Sequence, residues 1–435
     1  MYWLLKMNKI KAVFRVGKDL ALSRTALSTY LIFSGNILSA FLAFLFTVLL
    51  ARKMSFADFG YFSALFSFLL LVSDLADIGI GTTLSTFLPP LRDAKEKLLS
   101  VLKSAFALQL VISIFLTIII YTFANFLSDI LFHDRTFNFL IKITSFGIFF
   151  TIMANFSLYA LAAKQKFLHA AFLSAFSSLI RLVLLLFLLL FSLTTLHLVV
   201  YMQLAGLGIF FIVALIILRL DFLSVKISMV NLKKILSFTY LLGIARGLTS
   251  LASRLDVLMI IALRNPTEAG IYALASRVIS IYPLLAGSFS TVIAPKFSSM
   301  SQINDLKIFI KKVTLATVGI ICTILILIIF ASYFMTVLFA EKGIPTVQVF
   351  QLLLFSMIFF VGSIPAVSVA VYYLRKPHIL TINSILQFII VVFGNLLFIP
   401  KFGYFGASYS LILAYSITLI LTSAMTFYYL KKKHE

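Results

Sequence analysis

The chain has 435 residues, of which 62% are hydrophobic and only 11% are charged, and its mean hydropathy is +1.13. This composition excludes a soluble globular domain. The net charge of +22 would suggest a nucleic-acid partner in a soluble protein, but here the basic residues lie almost wholly between apolar runs, so we expect no nucleic acid. The single cysteine, Cys322, leaves no disulfide and no cysteine cluster for a metal, and we expect no cofactor.

The apolar runs predict about twelve transmembrane helices, because each is close to the roughly 20 residues that a helix needs to cross a bilayer. In chain order they are residues 27–50, 62–87, 104–127, 139–162, 167–191, 198–219, 236–262, 269–294, 313–338, 346–372, 378–399 and 404–429. The predicted fold class is therefore an all-α polytopic membrane protein.

The distribution of Lys and Arg predicts the orientation. An even number of helices puts both termini on one side, and that side carries 25 of the 36 basic residues, whereas the opposite loops carry seven. The positive-inside rule then makes both termini cytoplasmic. Residues 1–26 form a basic tail, either amphipathic and lying on the membrane or simply solvated, with no cleavable signal, and residues 430–435 form a second basic tail.

An internal repeat divides the chain into two halves. The turn "SFADFGYFSAL" (55–65) returns as "PTEAGIYALAS" (266–276), with Asp58 matched by Glu268 and Gly60 by Gly270 at an offset of 210 residues. Two six-helix bundles, 27–219 and 236–429, joined by a cytoplasmic linker at 220–235, would be related by a pseudo-two-fold axis along the membrane normal. The substrate path is then expected in a central cavity between them.

Ionisable residues inside the predicted helices are the candidate functional residues. Each costs about 2.5–3.5 kcal/mol at a helix centre unless it is paired or hydrated, so these side chains should face water or one another. There are seven: Asp74, Asp77, Asp256, Arg181, Arg246, Arg254 and Arg277.

Helical spacing indicates where these charges point. Asp74 and Asp77 fall on one stripe of the second segment with Ser67, Gly81 and Ser85. Arg181 shares a face with three serines of the fifth segment.

The seventh segment carries charges on two sides. Arg246, Ser250 and Arg254 lie on one face and span about 12 Å in depth, while Asp256 points to the opposite side and should contact a neighbouring helix.

The roles of these residues stay open at this point. The arginines outnumber the acids, so the acids cannot neutralise all of them. A guanidinium can also donate two parallel hydrogen bonds to a phosphate group. Both points favour an anion-binding cavity over mutual neutralisation of the arginines and acids. Asp74 and Asp77 could couple a proton or sodium ion to transport, pair with an arginine, or act uncharged through hydrogen bonds. Asn383 and Gln387 share a face of the eleventh segment and could contact either a sugar or another helix.

Residues 49–90 carry motifs of a known family: an Ala51-Arg52 pair, an acid and a glycine before an aromatic (Asp58, Gly60, Tyr61), and an Asp-x-Gly-x-Gly turn (Asp77, Gly79, Gly81). "SRLDVLMI" (253–260) and "IPKFGYFGASYSLILAY" (399–415) extend the match. The chain resembles the oligosaccharide flippases of polysaccharide biosynthesis, in the superfamily shared with multidrug and toxin extruders and peptidoglycan lipid flippases.

The resemblance implies a plasma-membrane flippase, not an enzyme, that moves a polyprenyl-pyrophosphate-linked oligosaccharide to the outer leaflet by alternating access. Arg181, Arg246, Arg254 and Arg277 would bind the substrate, and Asp74, Asp77 and Asp256 are the ion-coupling candidates. Anionic lipids at the cytoplasmic face and glycosyltransferases of the same pathway are expected partners. The alternatives are a cation-coupled multidrug exporter, which the arginine surplus disfavours, and a membrane-embedded glycosyltransferase or polymerase, for which the outer loops are short.

Overall fold

The computed structural model describes the backbone of residues 24–434 except 78, 92 and 301, and side chains from residue 34 onward except 234, 238–242, 244–246, 303 and 433–434. The tail predicted at residues 1–26 falls largely outside the described residues, and so does the end of the tail predicted at 430–435.

Almost all of the described chain is helical. The α-helices are α1 (Arg24–Lys53), α2 (Phe56–Asp77), α3 (Ile80–Phe87), α4 (Lys95–Thr122), α5 (Ala124–Phe132), α6 (Asn138–Ala163), α7 (Phe167–Leu190), α8 (Leu196–Leu218), α9 (Met229–Leu263), α10 (Pro266–Ile279), α11 (Ile281–Ser298), α12 (Ile303–Ile329), α13 (Ala331–Phe339), α14 (Val347–Gly362), α15 (Ile364–Ser368), α16 (His378–Phe402) and α17 (Tyr404–His434). Short 3₁₀ segments cover Pro89–Leu91, Arg135–Phe137, Leu220–Ser224 and Ala340–Thr346, and one π-helical turn covers Val369–Tyr373.

These helices account for the predicted transmembrane segments. Within the described residues, eleven helical stretches are long and apolar enough to cross a membrane. The remaining segment, predicted at 236–262, coincides with α9, whose 35 residues are ample for a bilayer. Large apolar side chains such as Ile329 and Leu190 lie on the outer surface, 76% and 82% exposed, as lipid-facing residues should. The polytopic all-α fold is thus as predicted.

The two halves repeat the same order of elements. In the first half α4 is followed by the short α5, a 3₁₀ turn and the long α6, and in the second half α12 is followed by the short α13, a 3₁₀ turn and the long α14. The elements begin at Lys95, Ala124 and Asn138 in one half and at Ile303, Ala331 and Val347 in the other. The internal similarity read from two short motifs therefore extends to the architecture of the bundles.

The second predicted segment is not one continuous helix. It divides into α2 and α3, and Gly79 stands at the break with φ 78°, a left-handed conformation that glycine adopts without steric cost. The stripe drawn through Asp74, Asp77, Gly81 and Ser85 assumed an unbroken helix, and that prediction is wrong beyond Asp77. The eighth segment divides similarly, into α10 and α11, and Pro295 lies inside α11.

The two halves meet tightly where the α1–α2 turn faces the α9–α10 turn. A Cβ atom on Gly60 would lie 1.9 Å from the Pro266 carbonyl oxygen, and one on Gly270 would lie 2.0 Å from that of Phe56, so only glycine fits at either position. Arg52 donates hydrogen bonds to the carbonyls of Val337 and Leu338, at 2.6 and 2.7 Å. We call this side of the molecule the closed end.

Further hydrogen bonds between the halves reinforce the closed end. Lys342 Nζ donates to the carbonyls of Met54, at 2.5 Å, and Arg52, at 3.1 Å. The His133 ring lies 2.7 Å from the Ala262 carbonyl oxygen. Each of these contacts joins one half to the other, so the two halves are held together on this side.

Candidate functional site

An ion pair links the two halves inside the membrane-spanning region. Arg254 Nε on α9 donates to Asp74 Oδ2 on α2 at 2.8 Å, and Ser250 Oγ, one helical turn before Arg254, donates to the same oxygen at 2.6 Å. The spacing of Ser250 and Arg254 puts both donors on one face of α9. The side chains of Arg254 and Asp74 are 29% and 35% exposed, so the pair lines the interface instead of being sealed within a bundle.

A small cavity where the two halves meet contains two further arginines. Arg181 of α7 and Arg277 of α10 both line it, together with Thr47 of α1, Ser63 of α2 and Gln203 of α8. Its volume is about 40 Å³, several times what one water molecule requires. Aromatic side chains complete the wall, namely Phe46, Phe59, Phe62 and Phe66. We call this the arginine cavity.

Both guanidinium groups of the arginine cavity lack a carboxylate. Arg181 donates from Nε to the Ser177 carbonyl at 3.0 Å and from Nη2 to Ser178 Oγ at 3.2 Å. Arg277 lies over the Phe66 ring, 5.5 Å from its centroid. Among the described side chains neither has an acidic partner within 4 Å, so the cavity carries positive charge that an incoming anion could neutralise.

Two polar side chains of the arginine cavity are buried without a partner. Gln203 is 3% exposed, and neither its amide nitrogen nor its amide oxygen makes a hydrogen bond in the described structure. Ser63 is 1% exposed, and its hydroxyl is likewise unpartnered. An unsatisfied buried polar group costs about 1–3 kcal/mol, so the cavity holds donors at an energetic cost that a bound ligand would offset.

The ion pair and the arginine cavity belong to one electrostatic site. The charges of Arg254 and Arg181 both act on Arg277 and repel it. Only Arg254 of these three has a carboxylate partner in the described structure. Three guanidinium groups therefore converge from α7, α9 and α10 on one region, with Asp74 as the nearby acid.

Asp256 lies in a separate network within the second half. It is 5% exposed and accepts hydrogen bonds from the Tyr272 hydroxyl of α10 at 2.7 Å and from Asn395 Nδ2 of α16 at 2.8 Å. The expected contact with neighbouring helices is thus present, made by neutral donors and not by an arginine. Asp256 and the arginine cavity are not brought together.

The remaining predicted residues are only partly described. Arg246 lies in α9, and its side chain is outside the described residues. Asp77 ends α2 next to the break, and its carbonyl lies 3.4 Å from Gln109 Nε2 of α4, which is also 3.4 Å from the Ala76 carbonyl. Gln109 thus supports the backbone at this break.

Sequence reasoning missed the residues that give the arginine cavity its shape. Gln203 is the one amide in the apolar stretch "VVYMQLAGLG" (199–208), a signal of the same kind as the intramembrane charges. Ser63 and Thr47 carry no such signal, because hydroxyl residues are common in membrane helices and usually bond to their own backbone. Thr47 does so, donating to the Ala43 carbonyl at 3.0 Å.

Comparison with known proteins supports the predicted fold and the family resemblance. The model of the polysaccharide biosynthesis protein family matches residues 27–301. No curated protein matches the chain in sequence. A solved structure of the lipid II flippase MurJ in an inward closed conformation is 18% identical, with a TM-score of 0.72 over 90% of this chain and 86% of that one.

Two other solved structures share the architecture. An inward-facing multidrug resistance transporter of the MATE family, in the MOP superfamily, is 13% identical, with a TM-score of 0.71 over 89% of this chain and 93% of its own. A MOP superfamily transporter from Pyrococcus furiosus is 12% identical, with a TM-score of 0.60 over 92% and 93% of the two chains. At these identities the similarity shows a shared fold, while the family match covers nearly two thirds of the sequence and confirms the resemblance read from its motifs. The chain belongs to the polysaccharide biosynthesis protein family.

Proposed function

We propose that the protein is a flippase that moves a polyprenyl-pyrophosphate-linked oligosaccharide from the cytoplasmic to the outer leaflet of the plasma membrane, for cell-surface polysaccharide or glycan synthesis. The observation that carries this proposal is the arginine cavity, with two guanidinium groups that lack carboxylate partners and a buried amide with no hydrogen bond. Pyrophosphate is the anionic part of such a substrate, and arginine is the side chain best suited to hold it. Membership of the family and the transporter fold agree with this assignment and with a protein that is not an enzyme.

Arg181, Arg254 and Arg277 are the proposed pyrophosphate contacts, and Arg246 is retained as a fourth. A pyrophosphate reaching this region would compete with Asp74 for Arg254, because both are anions seeking the same donor. Displaced from its partner, Asp74 becomes free to take up a proton or sodium ion. Asp74 is therefore the leading ion-coupling residue, with Asp77 and Asp256 as the other candidates.

The charge distribution supports cytoplasmic termini, which would put the closed end at the outer face. The described conformation would then be closed to the outside, and the two bundles, 27–219 and 236–429, would rock about the linker at 220–235 to open it. The 25 basic residues of the inner segments would gather anionic lipid headgroups at the cytoplasmic face. Glycosyltransferases that build the substrate are proposed partners there.

A multidrug exporter is the second candidate, because the MATE transporter fold matches almost as well. Such a protein would bind cationic compounds through its acids. Here Asp74 is already paired with Arg254, and Arg181 and Arg277 would repel a cation entering the central region. The interior charge therefore favours an anionic substrate.

Purified protein in proteoliposomes separates the two candidates. We expect flipping of a fluorescent polyprenyl-pyrophosphate oligosaccharide and no transport of a cationic dye such as ethidium, each measured with and without proton and sodium gradients. Dye efflux in the absence of lipid flipping would instead establish the exporter.

A further inference from the structure

The second half contains a pocket of a different chemical kind. It has a volume of about 320 Å³, eight times that of the arginine cavity and within the range of small-molecule sites. Four helical regions form it: α11, the end of α14 with α15, α16 and α17. Its polar lining includes Asn383, Ser384, Gln387, Tyr415, Thr418 and Thr422. We call it the neutral pocket.

None of the described residues lining the neutral pocket is Asp, Glu, Lys or Arg. Its polar groups are hydroxyls and amides, and Tyr415 and Phe360, with ring centroids 5.2 Å apart, supply an aromatic wall. A charged ligand would be buried there without a counter-charge, which is unfavourable. A purely hydrocarbon ligand would leave the amides without partners. A neutral, hydroxyl-rich group satisfies both conditions.

The pocket retains unused hydrogen-bonding capacity. Asn383 donates from Nδ2 to the hydroxyl of Thr422, while its side-chain oxygen is buried and has no partner in the described structure. Ser384 Oγ lies 3.3 Å from Thr249 Oγ1 of α9, so the pocket wall contacts the helix that carries Arg254. The pocket lining thus includes an amide oxygen without a partner in the described structure, and it lies against the helix that carries Arg254.

The chain path places the neutral pocket beside the arginine site. Pro283, Ala286 and Gly287 of α11 line the pocket, and Pro283 follows Arg277 by only six residues, across the break between α10 and α11. The arginine cavity, at about 40 Å³, has room for an anionic group but none for a sugar ring beside it. A ligand with an anion joined to a glycan would therefore need a second site close by.

We propose that the neutral pocket binds an uncharged sugar of the glycan headgroup while the arginines bind its pyrophosphate. This inference rests on the proposed function and assigns it a second subsite, in which Asn383 and Gln387 are the specificity-determining side chains. The protein would then recognise its substrate at two places, by charge where the halves meet and by hydroxyl groups within the second half.

Gly287 allows the pocket to be blocked without disturbing the fold. A Cβ atom at Gly287 would meet no atom within 4 Å, so Gly287→Phe projects a ring into the pocket space. Gly319 of α12 is a matched control, since it too has nothing within 4 Å and does not line the pocket. Asn383→Leu combined with Gln387→Leu removes the two amides, and Gln351→Leu on α14 removes an amide outside the pocket.

The test compares the affinities of two probes in nanodiscs: polyprenyl pyrophosphate alone, and the same lipid pyrophosphate bearing one N-acetylhexosamine. Wild type, Gly319→Phe and Gln351→Leu should bind the sugar-bearing probe at least about tenfold more tightly, the equivalent of two neutral hydrogen bonds. Gly287→Phe and the Asn383→Leu, Gln387→Leu double variant should bind both probes equally, at the affinity of wild type for the bare lipid.

The other outcomes contradict either the neutral pocket as a sugar subsite or the proposed function. A wild-type preference that survives in Gly287→Phe would overturn the neutral pocket as the sugar subsite, and so would equal binding of both probes by wild type. Failure of wild type to bind either probe would count against the proposed function itself. If the double variant does not fold, Gly287→Phe decides alone, because retained binding of the bare lipid shows that this variant is intact.

Discussion

The two cavities of the molecule differ in position and in chemistry. Arg181 of the first half and Arg277 of the second line a cavity of about 40 Å³ where the halves meet, whereas a pocket of about 320 Å³ within the second half has no charged residue among its described lining. The two halves nevertheless repeat the same order of helices and breaks. The side chains that line a cavity, and not the shared fold, therefore decide what it can bind.

The contrast also shows how intramembrane charge is tolerated. Asp256 in the second half is satisfied by Tyr272 and Asn395, a buried network of neutral donors. In the arginine cavity, Arg277 lies over an aromatic ring and has no acidic partner among the described side chains, and Gln203 has no hydrogen bond in the described structure. An anion would therefore stabilise the arginine cavity, whereas Asp256 already has its hydrogen-bond donors.

The largest expected effect tests the arginine cavity. Arg181→Glu combined with Arg277→Glu should lower flipping in proteoliposomes by at least about 100-fold, because the introduced carboxylates would repel the pyrophosphate that the two arginines are proposed to bind. Arg135→Glu is the control, since Arg135 is 82% exposed and pairs with Asp129 at the surface. Flipping at the wild-type rate in the double variant, with normal size-exclusion behaviour, would refute the role of the arginine cavity.

The next prediction concerns Gly60 and Gly270, which occupy matching positions in the two halves. Gly60→Leu and Gly270→Leu should each lower the flipping rate by about tenfold or more. Either leucine side chain would collide with a backbone carbonyl of the other half and so separate the two halves at the closed end. Maleimide labelling of Met54→Cys in a Cys322→Ser background reports the opening, since Met54 is 2% exposed. Gly319→Leu should leave both flipping and labelling unchanged. A strong effect at only one of the two glycines would contradict their equivalence.

A smaller effect should distinguish the two acids of α2. Asp74→Asn removes the charge that Arg254 binds and should abolish the dependence of flipping on an ion gradient, with the rate falling about tenfold. Asp77→Asn, at the helix break, should keep that dependence. Flipping rates with and without proton and sodium gradients provide the measurement. The reverse pattern would transfer the coupling role to Asp77.

The smallest expected effect compares two buried glutamines. Gln203→Leu removes an amide that has no hydrogen bond, so Tm should not fall, while affinity for inorganic pyrophosphate should drop several-fold. Gln109→Leu removes an amide whose nitrogen lies near the carbonyls of Ala76 and Asp77, so Tm should fall with pyrophosphate affinity unchanged. A fall in Tm for Gln203→Leu at constant affinity would make Gln203 a structural residue.

The sequence predicts the helices and the repeat because both leave strong local signals. Runs of about 20 apolar residues and the matched motifs at 55–65 and 266–276 need no tertiary information. The spacing of Ser250 and Arg254 likewise predicted one shared face of the helix, and both meet Asp74.

The sequence does not predict which intramembrane charges pair with each other. Asp74 meets Arg254 across 180 residues of sequence, and nothing local distinguishes Arg254 from the other intramembrane arginines. The break at Gly79 was read as a turn motif but not as an end to the helical stripe, because the hydropathy of the segment continues through it. Cavities depend on several helices at once, so neither the arginine cavity nor the neutral pocket has a signature in any one segment.

The central claim is that the anionic group of the substrate is what the protein recognises in the membrane. The most direct test measures flipping in proteoliposomes of two fluorescent lipids with the same polyprenyl chain and the same glycan, joined in one by pyrophosphate and in the other by a neutral ether. We expect rapid flipping of the pyrophosphate-linked lipid and only background movement of the ether-linked one. Equal flipping of both lipids would contradict this claim.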